Sequence, residues 1–216
     1  MKVSLHHFAI LAVFGLALGL GACGIPPKTS QASAPSASSP EQIEAQLVKL
    51  LLDDNQPQAV IDNFEQSKAL LQDRMAARIY YATALCQMAG AAKETADQLR
   101  WVRKGLGEFD KLSTDYPEEV RVYLYRAITY SHFPTVLGVN DLVVADIDKV
   151  NQGLKTKGWK LGKGELRQLS LSWINLGKIY KKADYLAQAK TQIVQDGLSA
   201  DQGIQDQLAQ AAKAIQ

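Results

Sequence analysis

Apolar and polar positions divide the 216-residue chain into three stretches with different patterning. An unbroken apolar run of 13 residues, Phe8–Leu20, follows Lys2 and closes on small residues. It has the length of the hydrophobic part of an export signal and falls short of the roughly 20 residues that span a bilayer. Gly24–Pro40 then carries five Ser, four Pro and three Ala among its 17 residues and no aromatic. Such a segment buries too little apolar surface to offset the entropy of ordering, so it reads as a flexible tether. From Ser39 onward the apolar residues recur at helical spacing. Ser39-Pro40-Glu41-Gln42 has the composition of a capped helix start, with Pro40 at the first helical position and Gln42 where a capping-box partner belongs. Ile43, Leu47, Leu50 and Leu51 mark one helix, and Val60, Ile61 and Phe64 a second one after the break at residues 53–57. Further helices are predicted over 73–89, 96–113, 118–133, 140–153, 164–182, 184–197 and 200–215. No stretch alternates with period two, so the expected fold class is all-α.

Small residues before Cys23 make Leu20-Gly21-Ala22-Cys23 resemble the lipobox of bacterial lipoproteins. The resemblance implies cleavage before Cys23, a lipid on its thiol and amine, and a chain held at a membrane by several acyl chains, which bind far more firmly than one. Gly24 replaces the aspartate that favours inner-membrane retention in enterobacterial lipoproteins, which implies the periplasmic face of the outer membrane. The expected organisation is therefore a signal peptide over 1–22, a lipidated tether over 23–40 and a helical domain over 41–216.

Loss of residues 1–22 would remove one charge, Lys2, and leave 23 basic against 22 acidic side chains. That balance gives no reason to expect nucleic acid. It would also leave one histidine, His132, and one uncommitted cysteine, Cys86, so the fold must do without an intrachain disulfide.

Trp173-Ile-Asn-Leu176-Gly177-Lys-Ile-Tyr180 matches the W-x₂-L-G-x₂-Y pattern of the tetratricopeptide repeat, with Ala189 and Ile193 at the small and large second-helix positions. Phe109, Leu112, Pro117, Tyr123, Ala127 and Tyr130 fit the same register earlier in the chain, with Arg126 where leucine is usual and, in the later copy, Asp196 where a small residue is usual. The resemblance implies stacked antiparallel helix pairs, in which Gly177 lies at a close crossing with the helix of Ala189. Residues 200–215 read as a closing helix, opened by a capping box at Ser199–Gln202. In this family the first helices line a concave groove. The register puts Arg121, Leu124, Ile128, Ser131 and His132, then Leu171, Ile174, Lys178, Lys181 and Lys182, on that groove as partner-binding residues.

Little in the sequence points to chemistry. His132 has no evident nucleophile to serve and reads as a helix-end or surface residue. Cys86 shares an apolar face with Tyr81, Ala82, Leu85 and Met88, which suits a buried inert thiol. Asp146 and Asp148 point to different faces and cannot clamp a metal together. Residues 155–164 contain Gly158-x₃-Gly162-Lys163-Gly164, one spacer short of a phosphate loop, after a helix and without the Ser or Thr that holds magnesium. Four lysines there surround Trp159, as an anion-facing loop would, or as a solvated loop whose tryptophan folds back. No catalytic set, metal site or cofactor is expected. The expected function is that of a non-enzymatic envelope adaptor, anchored by lipid and bound to another envelope protein. In broad plan it resembles the repeat lipoproteins of outer-membrane β-barrel and type IV pilus secretin assembly. The second reading is a ligand-binding accessory subunit of a periplasmic transport system, with an apolar cavity inside the stack.

Overall fold

A computed structural model describes residues 39–215; the apolar run, the lipobox and all of the tether but Ser39 and Pro40 lie outside the described residues. Ser39 opens the first helix as its sequence implies. Its Oγ accepts from the Gln42 amide at 3.3 Å, and the Gln42 side chain accepts from the Ser39 amide at 2.9 Å. This reciprocal bonding satisfies two donors that a helix start otherwise leaves orphaned. Helix α1 (Pro40–Val48) runs into a π-helical turn, Lys49–Asp53, and Pro57 begins α2 (Pro57–Gln66). A short α3 (Lys68–Leu71) leads to α4 (Met75–Ala91) and α5 (Thr95–Asp115). Then follow α6 (Val120–Tyr130), α7 (Asn140–Thr156), α8 (Lys163–Tyr180), α9 (Ala183–Gln195) and α10 (Gln202–Ala214). The described residues are all-helical, with no strand.

The helices associate in antiparallel pairs, α4 with α5, α6 with α7, and α8 with α9. Residues without bulk set the close approaches. A Cβ on Gly105 would stand 2.3 Å from the Cys86 sulfur, and one on Gly177 would stand 2.2 Å from Leu186 Cδ2. Both contacts would be clashes, so glycine is what lets α5 meet α4 and α8 meet α9 at these depths. The Gly177 crossing with the helix of Ala189 is the one its spacing predicts. Neighbouring pairs join through their first helices, which run side by side in one direction. Tyr80 of α4 meets Tyr125 of α6 edge-on at 6.1 Å, and Arg121 and Ser131 at the two ends of α6 reach Glu165 and Asn175 of α8. Helix α10 closes the far side against α8 and α9.

Two apolar cores result. A smaller one, built on Leu47, Leu51, Val60, Phe64 and Leu71, lies under α1 to α3; the larger one fills the three pairs and α10. Trp101 packs against both. Arg126, the departure from leucine, is 6% exposed inside the larger core. Its guanidinium grips Asp146 of α7 with two bonds of 2.7 Å and reaches Ser113 at 3.2 Å.

The start of α10 differs from expectation. Ser199 does not cap it; Asp201 does, accepting from the Ile204 amide at 3.1 Å. The Asp201 amide is itself tied to the Leu198 carbonyl at 2.9 Å, so Ser199 and Ala200 are used up in that turn. The carboxylate of Asp201 also holds Arg167 at 3.0 Å.

Candidate partner-binding surface

The expected groove residues separate into two groups. Leu124, Ile128, Leu171 and Ile174 are buried in the larger core, between 0% and 6% exposed, and offer nothing to a partner. This corrects the expected groove. The reason lies in α6, which buries nine of its eleven residues: a helix apolar nearly all round has neighbours on every side. Helix α8 in turn receives α6 on one flank and α10 on the other. Arg121, Lys178, Lys181 and Lys182 do reach the surface. Arg121 is engaged, its Nε donating to Glu165 at 2.8 Å, and Lys182 lies over the Tyr185 ring at 5.3 Å.

His132 is at a helix end, the first of the two places expected for it, and not on the open surface. It is half-buried at the end of α6, with Nε2 at 3.2 Å from the Asn175 amide nitrogen, and Ser131 beside it is buried. Loss of solvation, aided by nearby Lys178, pushes the imidazole down to about 4. It is therefore neutral at ordinary pH and accepts from Asn175. Cys86 is fully buried, and burial pushes its thiol up, as an inert packing role requires. Asp146 is buried and Asp148 exposed, the divergence their spacing predicts. Among the described residues no group of His, Cys, Asp and Glu could hold a metal ion, and no helix is long and apolar enough to cross a membrane.

What the first helices do present is a strip that the groove register missed. Tyr80, Tyr125 and Asn175 each stand two residues before the small residue of their helix (Ala82, Ala127 and Gly177), and all three are half-buried. Burial raises both tyrosine hydroxyls above their ordinary range, so they are neutral donors and acceptors. The signal was present in the sequence as one spacing, two residues before a small residue, shared by three helices. It was obscured because none of the three is a residue that the tetratricopeptide pattern specifies.

A second surface runs along one edge of the stack, where first helices begin and second helices end. Arg74, at the start of α4, holds Glu44 at 2.9 Å and Glu41 at 2.8 Å in the first turns of α1. Tyr116, just after α5, donates to the Asp73 carbonyl at 3.0 Å. Lys149 donates to the Pro117 carbonyl at 3.0 Å, and Lys157 pairs with Glu118. The Arg121–Glu165 and Arg167–Asp201 pairs continue the line to α10. Trp159 folds back here: a Cβ on Gly153 would stand 1.8 Å from its ring, and its amide donates to the Gly153 carbonyl at 3.3 Å.

Between α7 and α9 an open cleft of about 380 Å³ is walled by Asn151, Gln188, Thr191, Gln192 and Gln195 beside Trp173. Asn151 and Gln192 satisfy each other there through reciprocal amide bonds of 2.7 and 3.1 Å. Comparison with protein-family models, with curated proteins and with solved structures found no match to this chain.

Proposed function

We propose that the chain is a non-enzymatic adaptor of the bacterial cell envelope, anchored through lipid on Cys23 at the periplasmic face of the outer membrane. Its helix pairs act as a tetratricopeptide-like stack, and another envelope protein docks on the face formed by the first helices. The observation that carries this reading is the strip of Tyr80, Tyr125 and Asn175 on three successive parallel helices. Half-buried tyrosines supply large contact area at low entropic cost, and each brings one hydroxyl for a polar partner group. The tight crossings at Gly105 and Gly177 support the repeat reading, because a small residue where the two helices of a pair cross is what the repeat pattern implies.

Site-specific photocrosslinking in intact envelopes tests the proposal. A photoreactive residue replacing Tyr80 is expected to capture one protein in stoichiometric yield. The same group replacing Lys190, exposed on α9, is expected to capture none. Capture of a small molecule, or equal capture from both positions, refutes the docking face.

A further inference from the structure

The edge that carries the start of α1 also carries the most cationic segment of the described chain. From Lys149 to Gly164 there are five lysines and no acid. Lys149 and Lys157 are engaged as described above, whereas Lys155, Lys160 and Lys163 are exposed and, among the described residues, form no ion pair. Trp159 pins the loop to Gly153 and stays half-exposed, with Lys157 at 5.3 Å from its ring. The loop is therefore a fixed cationic lobe with an aromatic at its centre.

Three acids at the same edge, Asp73, Glu119 and Asp148, are exposed and form no ion pair among the described residues, while Glu41, Asp115, Glu118, Glu165 and Asp201 are each spent on a cation within the stack. The α7–α8 loop is thus a free positive patch with no acid of its own, whereas at the opposite edge the exposed Lys178, Lys181 and Lys182 stand beside the exposed Asp141 and Asp184.

We infer that this edge lies against an anionic phospholipid surface, with Lys155, Lys160 and Lys163 as the headgroup contacts. The inference rests on the proposed lipid anchor and adds an orientation to it. Fifteen residues separate Cys23 from Ser39. Fully extended they reach about 50 Å, twice the length of about 25 Å that α7 spans, so the link alone lets either edge face the bilayer. The choice falls to the body. Because the chain enters α1 at the lysine-bearing edge, contact needs no doubling back. Each lysine near an anionic leaflet contributes about fivefold to partitioning, so three together favour contact through this loop by about 100-fold over no contact. In this orientation the opposite edge, with Val136 and the end of α8, points away from the membrane.

Energy transfer tests it on the full lipidated chain in vesicles. One dye is placed at Thr156→Cys, at the lysine edge, or at Val136→Cys, at the opposite end of α7; the acceptor is a labelled lipid. Cys86 is buried and stays unlabelled. In vesicles of equal parts phosphatidylglycerol and phosphatidylcholine, transfer from residue 156 is expected to exceed transfer from residue 136. The difference is expected to vanish in phosphatidylcholine alone, at high salt, and in Lys155→Gln/Lys160→Gln/Lys163→Gln. Equal transfer from both sites in anionic vesicles overturns the inference. So does a difference that persists in neutral vesicles or in the triple variant, and a difference restored only by an added acidic protein. Mass spectrometry of Cys23 separates this result from the anchor proposal. If Cys23 carries no lipid the anchor fails, and the lysine contact then stands only if the unlipidated chain floats with anionic vesicles and the triple variant floats less.

Discussion

Arg126→Leu supplies the leucine that the tetratricopeptide resemblance implies there and is nevertheless expected to destabilise the protein severely. The substitution leaves the Asp146 carboxylate, 2% exposed, without the two guanidinium bonds that neutralise it. An uncompensated buried charge of this kind costs about 3–5 kcal/mol, a large part of the roughly 5–15 kcal/mol that holds a domain together. The reverse change, Asp146→Leu, is expected to cost less. Arg126 would retain Ser113 at 3.2 Å, the exposed Asp110 at 3.7 Å and the Tyr123 ring at 5.6 Å. The double variant removes both charges from the core. It is expected to lie within about 1 kcal/mol of wild type or above it, since apolar pairs of similar volume often match or exceed buried ion pairs. Urea denaturation of the four proteins, followed by circular dichroism, gives the cycle. The reasoning is refuted if Arg126→Leu costs under about 1 kcal/mol, or if the double variant loses the sum of the two single losses.

Gly177→Leu is expected to cost about 1–3 kcal/mol or more by forcing Leu186 out of its place, whereas Lys190→Leu on the exposed face of α9 should stay within about 0.5 kcal/mol; thermal melts that rank them the other way would invalidate the α8–α9 crossing. His132 binds its proton less readily when folded, with its pKa moved from 6.5 to about 4, so unfolded chains take up a proton first as pH falls. Stability is therefore lost between about pH 6.5 and 4, by up to about 3 kcal/mol, and the loss is complete below that window. His132→Asn keeps an acceptor for Asn175 and should flatten this part of the profile; identical slopes for variant and wild type in urea titrations would remove His132 as the cause.

Local signals were the legible ones. Ser39, Pro40 and Gln42 act within one turn of helix, so their residue types alone foretell the capped start. The helices from α4 to α10 were readable because their apolar residues recur at helical spacing between local breaks. Faces were harder. Repeat spacing turned Leu124, Ile128, Leu171 and Ile174 to one side of their helices, but which side stays open depends on how neighbouring helices close in. Partnerships across pairs were out of reach as well. Arg126 and Asp146 each stood out, one as a departure from the tetratricopeptide pattern and one as an acid set aside as a metal ligand, yet nothing in the nineteen intervening residues says they meet. Ser199 has a fitting capping sequence and lost the position because Asp201 can both cap α10 and hold Arg167.

The division into two unequal cores has a mechanical consequence. Any pull on the chain ahead of Ser39 enters the body through α1, whose apolar contacts belong to the smaller core under α1 to α3. At its first turns α1 is fastened by Ile43, packed in that core, and by Arg74, through carboxylates that water can reach. Load applied there opens contacts one after another, as a zipper does, and does not stretch many in parallel. The layer under α1 to α3 thus acts as a shock absorber: it can peel and re-form while Trp101 and the larger core keep the three helix pairs assembled.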